Sequence, residues 1–373
     1  MHDLDKFLAL LNSPDETNIE VALEMAKGVP ALQSRVKYHL QLYVQLFGKR
    51  GKKKSNTEKI RRLNGSHLNL LCEELESLPD SIGKLIDLIE ITLSHNQLRA
   101  LPDSIGGLTT LKNLFLRENQ LNRLPESFGR LINLKGLDLS RNQLQVLPES
   151  IDTLTLLKIA GLSENKLISL SESIKGLVSL EWLELSHNQL RMLPNSIGEL
   201  KALQKLYVSD NQLKQLPDSV GRLVNLKSLD ISDNQLQTLP DSISQLTTLK
   251  ILGLYGNQLQ VFPDSIYTLA TLEVLLLSDN ALQVLPESIG QLTSLQHLSL
   301  DDNQLQALPK SIGKLTDLEE LTLSNNQLAH LPEEIAKLTK LEDLSIENNL
   351  FTEEAVVQLK QWLPYCTITS DFD

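Results

Sequence analysis

The chain is 373 residues long and carries a formal net charge of −12, a balance that argues against nucleic-acid binding by the chain as a whole. Aromatic residues make up only 4% of it, and leucine supplies most of the apolar content. Met-His-Asp-Leu-Asp-Lys at the start has acidic residues where a secretory leader needs basic ones, and no apolar run approaches the roughly 20 residues that span a bilayer. Cys72 and Cys366 stand near opposite ends of the sequence and read as free thiols in a reducing compartment. A cytoplasmic location is the expectation.

In chain order, residues 1–47 read as three short helices. Leu4, Phe7, Leu8 and Leu11 give a first apolar stripe at helical spacing. Ser13-Pro14-Asp15-Glu16 has the form of a capping box with Pro at the first helical position, and Ile19, Ala22, Leu23 and Ala26 come next as one face. Gly28 is the expected stop. Pro30 opens a third helix with Leu32, Val36, Leu40, Tyr43 and Phe47 inward. These helices either pack together or cover the exposed end of the repeated segment that begins near residue 63, and covering is the favoured reading.

Residues 48–62 carry eight Lys or Arg against one Glu and read as a basic linker. A solvated, self-repelling segment outweighs docking on a membrane or nucleic acid, which stays open as an alternative.

From about residue 63 to residue 350 one motif repeats. An Asn recurs every 23 residues, at Asn96, Asn119, Asn142, Asn165, Asn188, Asn211, Asn234, Asn257, Asn280, Asn303, Asn326 and Asn349, with no insertion. A fixed period in the twenties marks a stack of supersecondary units, each too small to bury its own apolar face. In the unit of Asn119, Leu114-Phe115-Leu116 alternates as a short strand, and Pro125 and Glu126 suit the start of a helical turn. The Asn amide is expected to satisfy backbone groups where the chain leaves the strand. After Asn349, Thr352 caps a helix through about Leu363, and Cys366 to Ser370 read as a last strand. Residues 351–373 are therefore a helix-strand cap.

The pattern L-x-x-L-x-L-x-x-N-x-L followed by x-x-L-P-x-S-I-G-x-L resembles the leucine-rich repeat family, in its intracellular 23-residue class of Ras-group-related and bacterial cytoplasmic proteins. The resemblance implies an α/β fold: a curved right-handed solenoid of about 12–13 units, with a concave parallel sheet and convex helical turns.

No catalytic, cofactor or metal constellation stands out. His95 and His187 share a repeat position but lie four units apart, and Asp301-Asp302 lacks the other ligands of a calcium loop. No enzyme activity and no small-molecule substrate are expected. What remains is the concave face, whose exposed places are expected six, four, two and one residues before each Asn. Phe115, Trp182 and Tyr207 form one set of anchors there, and Ile251, Tyr255, Val274 and Leu276 a second. Glu184, Asp210, Asp230, Asp233, Asp279, Asp301 and Asp302 surround them. Large side chains in an acidic field are the makings of an interface for a basic protein. The expected function is a non-catalytic interaction scaffold. The alternative implied by the Ras-linked resemblance is a regulator or targeting subunit of a small GTPase or phosphatase in signal transduction.

Overall fold

The computed structural model describes residues 2–48, 54–261 and 263–372. The chain divides into two compact units, Met1–Lys166 and Leu167–Asp373.

The first unit begins with helices α1 (His2–Leu11), α2 (Glu16–Met25), α3 (Pro30–Phe47) and α4 (Asn56–Asn64). Phe7, Leu11, Ile19, Ala22 and Ile60 are fully buried in one cluster, so α1, α2 and α4 close on each other. Helix α3 rests on the first repeat. The Tyr38 hydroxyl donates to the Ser81 carbonyl at 3.1 Å, and the Lys84 ammonium lies over the Tyr38 ring at 4.7 Å.

Three sequence expectations change here. The cap of α2 is Asp15, whose carboxylate accepts from the Thr17 N–H at 2.7 Å, while the Ser13 hydroxyl accepts from the Asp15 N–H at 3.1 Å. A self-contained Asx turn thus moves the helix start two residues on and leaves Pro14 outside it. The segment read as a linker is in part α4. Ser55 caps it by accepting from the Glu58 N–H at 3.1 Å, and Ile60 and Leu63 are buried. An apolar pair three apart outweighs the surrounding charge, because Arg61 pairs with Glu16 at 2.9 Å and the Arg62 guanidinium stacks 3.7 Å from the Phe47 ring. The Lys and Arg at 49–53 lie outside the described residues. In α3 Tyr43 and Phe47 are buried as expected and Leu32, Val36 and Leu40, half-buried, pack inward against the cluster, but Leu42 and Leu46 are buried too, so the inner face is wider than the sequence pattern predicts.

The repeats of the first unit carry β1 (His67–Asn69), β2 (Glu90–Thr92), β3 (Asn113–Phe115), β4 (Gly136–Asp138) and β5 (Ile159–Gly161). They pair in parallel and in sequence order, each residue opposite the one 23 later, as His67 is opposite Glu90. The helical turns are single 3-10 turns of five residues, such as Glu126–Arg130. Pro125 is extended at φ −73 and ψ 152 and launches that turn, and Phe128 closes it inward. Leu111, Leu114, Leu116, Leu121, Phe128, Leu131 and Leu134 are all fully buried. Strand and turn of one unit therefore share an interior with their neighbours, which is what a unit too small for its own core requires.

The second unit continues the plan with β6 (Trp182–Glu184), β7 (Lys205–Tyr207), β8 (Ser228–Asp230), β9 (Ile251–Gly253), β10 (Val274–Leu276), β11 (His297–Ser299), β12 (Glu320–Thr322) and β13 (Asp343–Ser345). Helix α5 (Glu353–Trp362) and β14 (Thr367–Thr369) end it. Thr352 caps α5 by accepting from the Ala355 N–H at 3.2 Å, and Val356, Leu359 and Leu363 bury its inner side. Both cysteines are free thiols. Among the described residues no helix is long and apolar enough to cross a membrane.

Candidate interaction surface

The sheet face is shaped by what happens at the Asn of each unit. The twelve asparagines make the same bonds. In Asn211 the Oδ1 accepts from the Leu190 N–H at 2.9 Å, and Nδ2 donates to the carbonyls of Leu185, Val208 and Ser209 at 3.1, 3.2 and 3.0 Å. One side chain thus ties its own turn to the preceding unit, and it is 8% exposed. Backbone groups that leave the strand ladder are satisfied inside the fold rather than by solvent.

The residue just before each Asn is in the left-handed region. Glu118, Arg141, His187, Asp210, Asp233, Asp279, Asp302, Asn325 and Asn348 all have φ between 52 and 56, and Gly256 has φ 64. Asp, Asn and Gly tolerate that region best, so part of the acidic column has a backbone reason. The run of Asp and Asn at this place is a sequence signal for that backbone, and a reading based on charge alone misses it.

The column two before the Asn is a correction. Ser94, Ser140, Ser186 and Ser278 there are buried, not exposed. The other serines of this column and Arg117 and Asp301 are half-buried, and Glu347 is exposed. Tyr255 is the large apolar residue of the column, at 43% exposed. Gly253 and Gly256 flank it. A Cβ at Gly253 would lie 2.5 Å from Asp230 Oδ1, and one at Gly256 would lie 2.4 Å from Asp233 Oδ1. Either aspartate would have to shift to admit a side chain, and at Gly256 the φ of 64 also favours glycine.

The acids are not equivalent. Asp230 accepts from the Ser232 N–H at 3.1 Å and its hydroxyl at 2.6 Å, and Glu184 accepts from the Ser186 N–H at 2.9 Å. Asp301 is half-buried and accepts from the Ser324 N–H at 2.7 Å, from the Ser278 hydroxyl at 3.3 Å and from the Thr322 hydroxyl. These three carboxylates are held by neighbouring serine and threonine groups, so they are not free members of the acidic surround expected for the anchors. Asp210 faces His187 at 3.3 Å. No ion pair among the described residues reaches Asp233, Asp279 or Asp302, and all three are exposed. Burial first, then the carboxylates of Asp210, Asp279 and Asp230, push the Asp233 carboxyl above its ordinary value. Negative potential accumulates along this strip.

In the first unit the same column neutralises itself. Glu118 accepts from Arg141 Nη1 at 2.8 Å and faces His95 at 2.7 Å, while Arg141 Nε donates to Glu164 at 2.7 Å. Glu118 is consequently held below the ordinary carboxylate range, chiefly by the Arg141 bond. Phe115 is half-buried in that unit.

In the second unit Trp182 and Tyr207 meet edge to face with centroids 6.1 Å apart, and the Lys205 ammonium lies 5.1 Å from the Trp182 ring. Ile251 and Leu276 are 41% and 36% exposed, and Val274 is half-buried. Ile251 is opposite Val274 in the ladder and Gly253 opposite Leu276, so these apolar side chains are neighbours. Among the described residues no group of three or more His, Cys, Asp or Glu is arranged to hold a metal ion.

A parallel strand and a 3-10 turn repeated every 23 residues, locked by an interior Asn ladder, define a leucine-rich repeat solenoid. The chain belongs to the leucine-rich repeat family: the profile of the leucine-rich repeat region matches residues 154–252 and 241–363, and that of a single leucine-rich repeat matches residues 133–154. No curated protein matches the chain. Among solved structures, a leucine-rich repeat protein of Leptospira interrogans is 33% identical, with 84% of this chain and 92% of that one covered and a TM-score of 0.72. The internalin InlF of Listeria monocytogenes shares the fold at 22% identity, 90% and 94% coverage and a TM-score of 0.74. The plant peptide hormone receptor RGFR1, solved in complex with RGF2, is 27% identical over 81% of this chain and 50% of that one, with a TM-score of 0.68.

Proposed function

We propose that this chain is an interaction scaffold whose second unit binds a basic protein segment on the open face of its sheet. One observation carries the reading: Asp233, Asp279 and Asp302 run along the face with no salt bridge among the described residues, beside the exposed apolar group of Ile251, Tyr255 and Leu276. Apolar anchors supply the area, and the acids supply steering and selection against acidic partners. Trp182 and Tyr207 extend the apolar side of the same face. The likeness to the peptide hormone receptor RGFR1, solved in complex with RGF2, supports the choice of a polypeptide partner.

Selection from a random peptide library on the immobilised full chain tests this. The recovered sequences should be rich in Lys and Arg with interspersed large apolar residues. The Asp233→Asn, Asp279→Asn, Asp302→Asn variant should lose them, since Asn keeps the left-handed backbone and removes only charge. Neutral or acidic binders, or binders retained by that variant, would refute the reading.

A further inference from the structure

Helix α3 has more apolar surface than its own unit uses. At 3.6 residues per turn its apolar positions from Leu42 round to Val44 cover an arc of about 200°, roughly twice the stripe a surface helix needs. One side of the arc, with Leu42, Tyr43, Leu46 and Phe47, is at most 3% exposed. The arc continues through Val36 and Leu40, which are half-buried and pack partly against the cluster of α1, α2 and α4, to Val44, and these three at successive intervals of four line a groove together with Leu23 and Ala26 of the α2 end. Val44 is 50% exposed. The groove holds about 700 Å³. It runs from Gln33 to Gln45, which at 1.5 Å per residue is about 18 Å, or three helical turns.

The lining decides what fits. Lys27 and Lys37 stand on it with Gln33, Gln41 and Gln45, and no carboxylate lines it. Lys27 does touch Glu24 at 2.5 Å, but both side chains are more than two-thirds exposed, so the pair is weak and open to competition. A second copy of the same helix would bring lysines against lysines with no lining carboxylate to offset them.

We propose that the α2–α3 groove receives an amphipathic helix of a partner protein, about three turns long, with leucine-type anchors on one face and Asp or Glu on its flanks. Anchors at i, i+3 or i+4, and i+7 then meet Val36, Leu40 and Val44, and the flanking carboxylates meet Lys27 and Lys37. This surface is separate in residues and opposite in charge preference from the acidic sheet face, so the chain selects two different partner chemistries.

The test uses the full chain and two synthetic 14-residue amphipathic helices that share the same leucine face, one flanked by Glu and the other by Lys, read by fluorescence anisotropy. The Glu-flanked peptide should bind at least tenfold more tightly than its twin. Val44→Lys should weaken it at least tenfold, and Lys37→Glu should reverse the preference, with circular dichroism unchanged in both variants. Trp182→Ala and Tyr255→Ala should leave this binding as it is, so failure of the groove and failure of the sheet face are read separately. Equal affinity for the two peptides, no binding of either, or binding untouched by both substitutions would overturn the proposal. So would sedimentation showing that Val44→Lys dissociates a dimer, or anionic vesicles bound in place of the peptide through Val44.

Discussion

At the scale of single residues, the Asn ladder carries more of the fold than any one leucine. Asn211 makes four hydrogen bonds that join two units. Asn211→Ala orphans buried backbone groups at about 1–3 kcal/mol each, so a loss of about 3 kcal/mol in urea unfolding is expected. Asn211→Asp should be as harmful at pH 7 despite its shape, because three carbonyls would then face a carboxylate instead of an N–H donor. Asp233 behaves in the opposite way. Its carboxyl is raised by burial and by neighbouring carboxylates, so the fold prefers the protonated form. Its contribution is favourable below the ordinary aspartate value of about 3.9 and is lost as pH rises through the raised folded value. Asp233→Asn should therefore unfold at a higher temperature than the wild type at pH 7, with the gap closing as pH falls towards 4.

At the scale of elements, the acidic residue that opens most of the 3-10 turns does more than face a dipole. Glu172 reaches forward to the next unit and accepts from the Asn195 and Ser196 N–H groups at 3.2 and 2.9 Å, and Glu287 does the same for Lys310 and Ser311. Hydrogen bonding from Ser196 holds Glu172 below its ordinary value, and bonding from Ser311 does so for Glu287. A depressed carboxyl stabilises above its unfolded value of about 4.3, and that help is lost as pH falls through the depressed folded value. Glu287→Gln should thus melt below the wild type at pH 7 and level with it once pH has fallen through the depressed folded value. Where Pro is missing, Ser171 compensates by accepting from the Ser173 N–H at 3.2 Å. The repeat elements were legible in the sequence because period, leucine alternation and Leu-Pro all point the same way. Helix α4 was not, since eight cations hid the Ile60 and Leu63 pair that places it. Nor was the burial of Ser94, Ser140, Ser186 and Ser278, because hydrophobicity does not mark a serine for burial.

At the scale of the whole molecule, each unit contributes a sheet face, and the two faces differ in how their charge is balanced. His95, Glu118, Arg141 and Glu164 answer one another in the first unit, whereas among the described residues of the second Asp233, Asp279 and Asp302 form no salt bridge, and Asp233 feels only a minor attraction from His187. Which columns carry large and acidic side chains can be read from the repeat register alone. Register could not separate Asp230 and Asp301, whose carboxylates serve serine and threonine neighbours, from the acids left free, because that depends on hydrogen bonds across strands. Raising salt from 50 to 500 mM should weaken a basic partner of the second unit severalfold, mainly through slower association, since rim charges act chiefly on the on-rate.

Hydrogen exchange of the full chain, alone and in complex with a basic peptide recovered by selection, tests the central claim most directly. Protection concentrated in the segments of β8 to β11 that carry Asp233, Tyr255, Leu276 and Asp302 is the predicted result. Protection confined to the 3-10 turns, or to the repeats of the first unit, would contradict it.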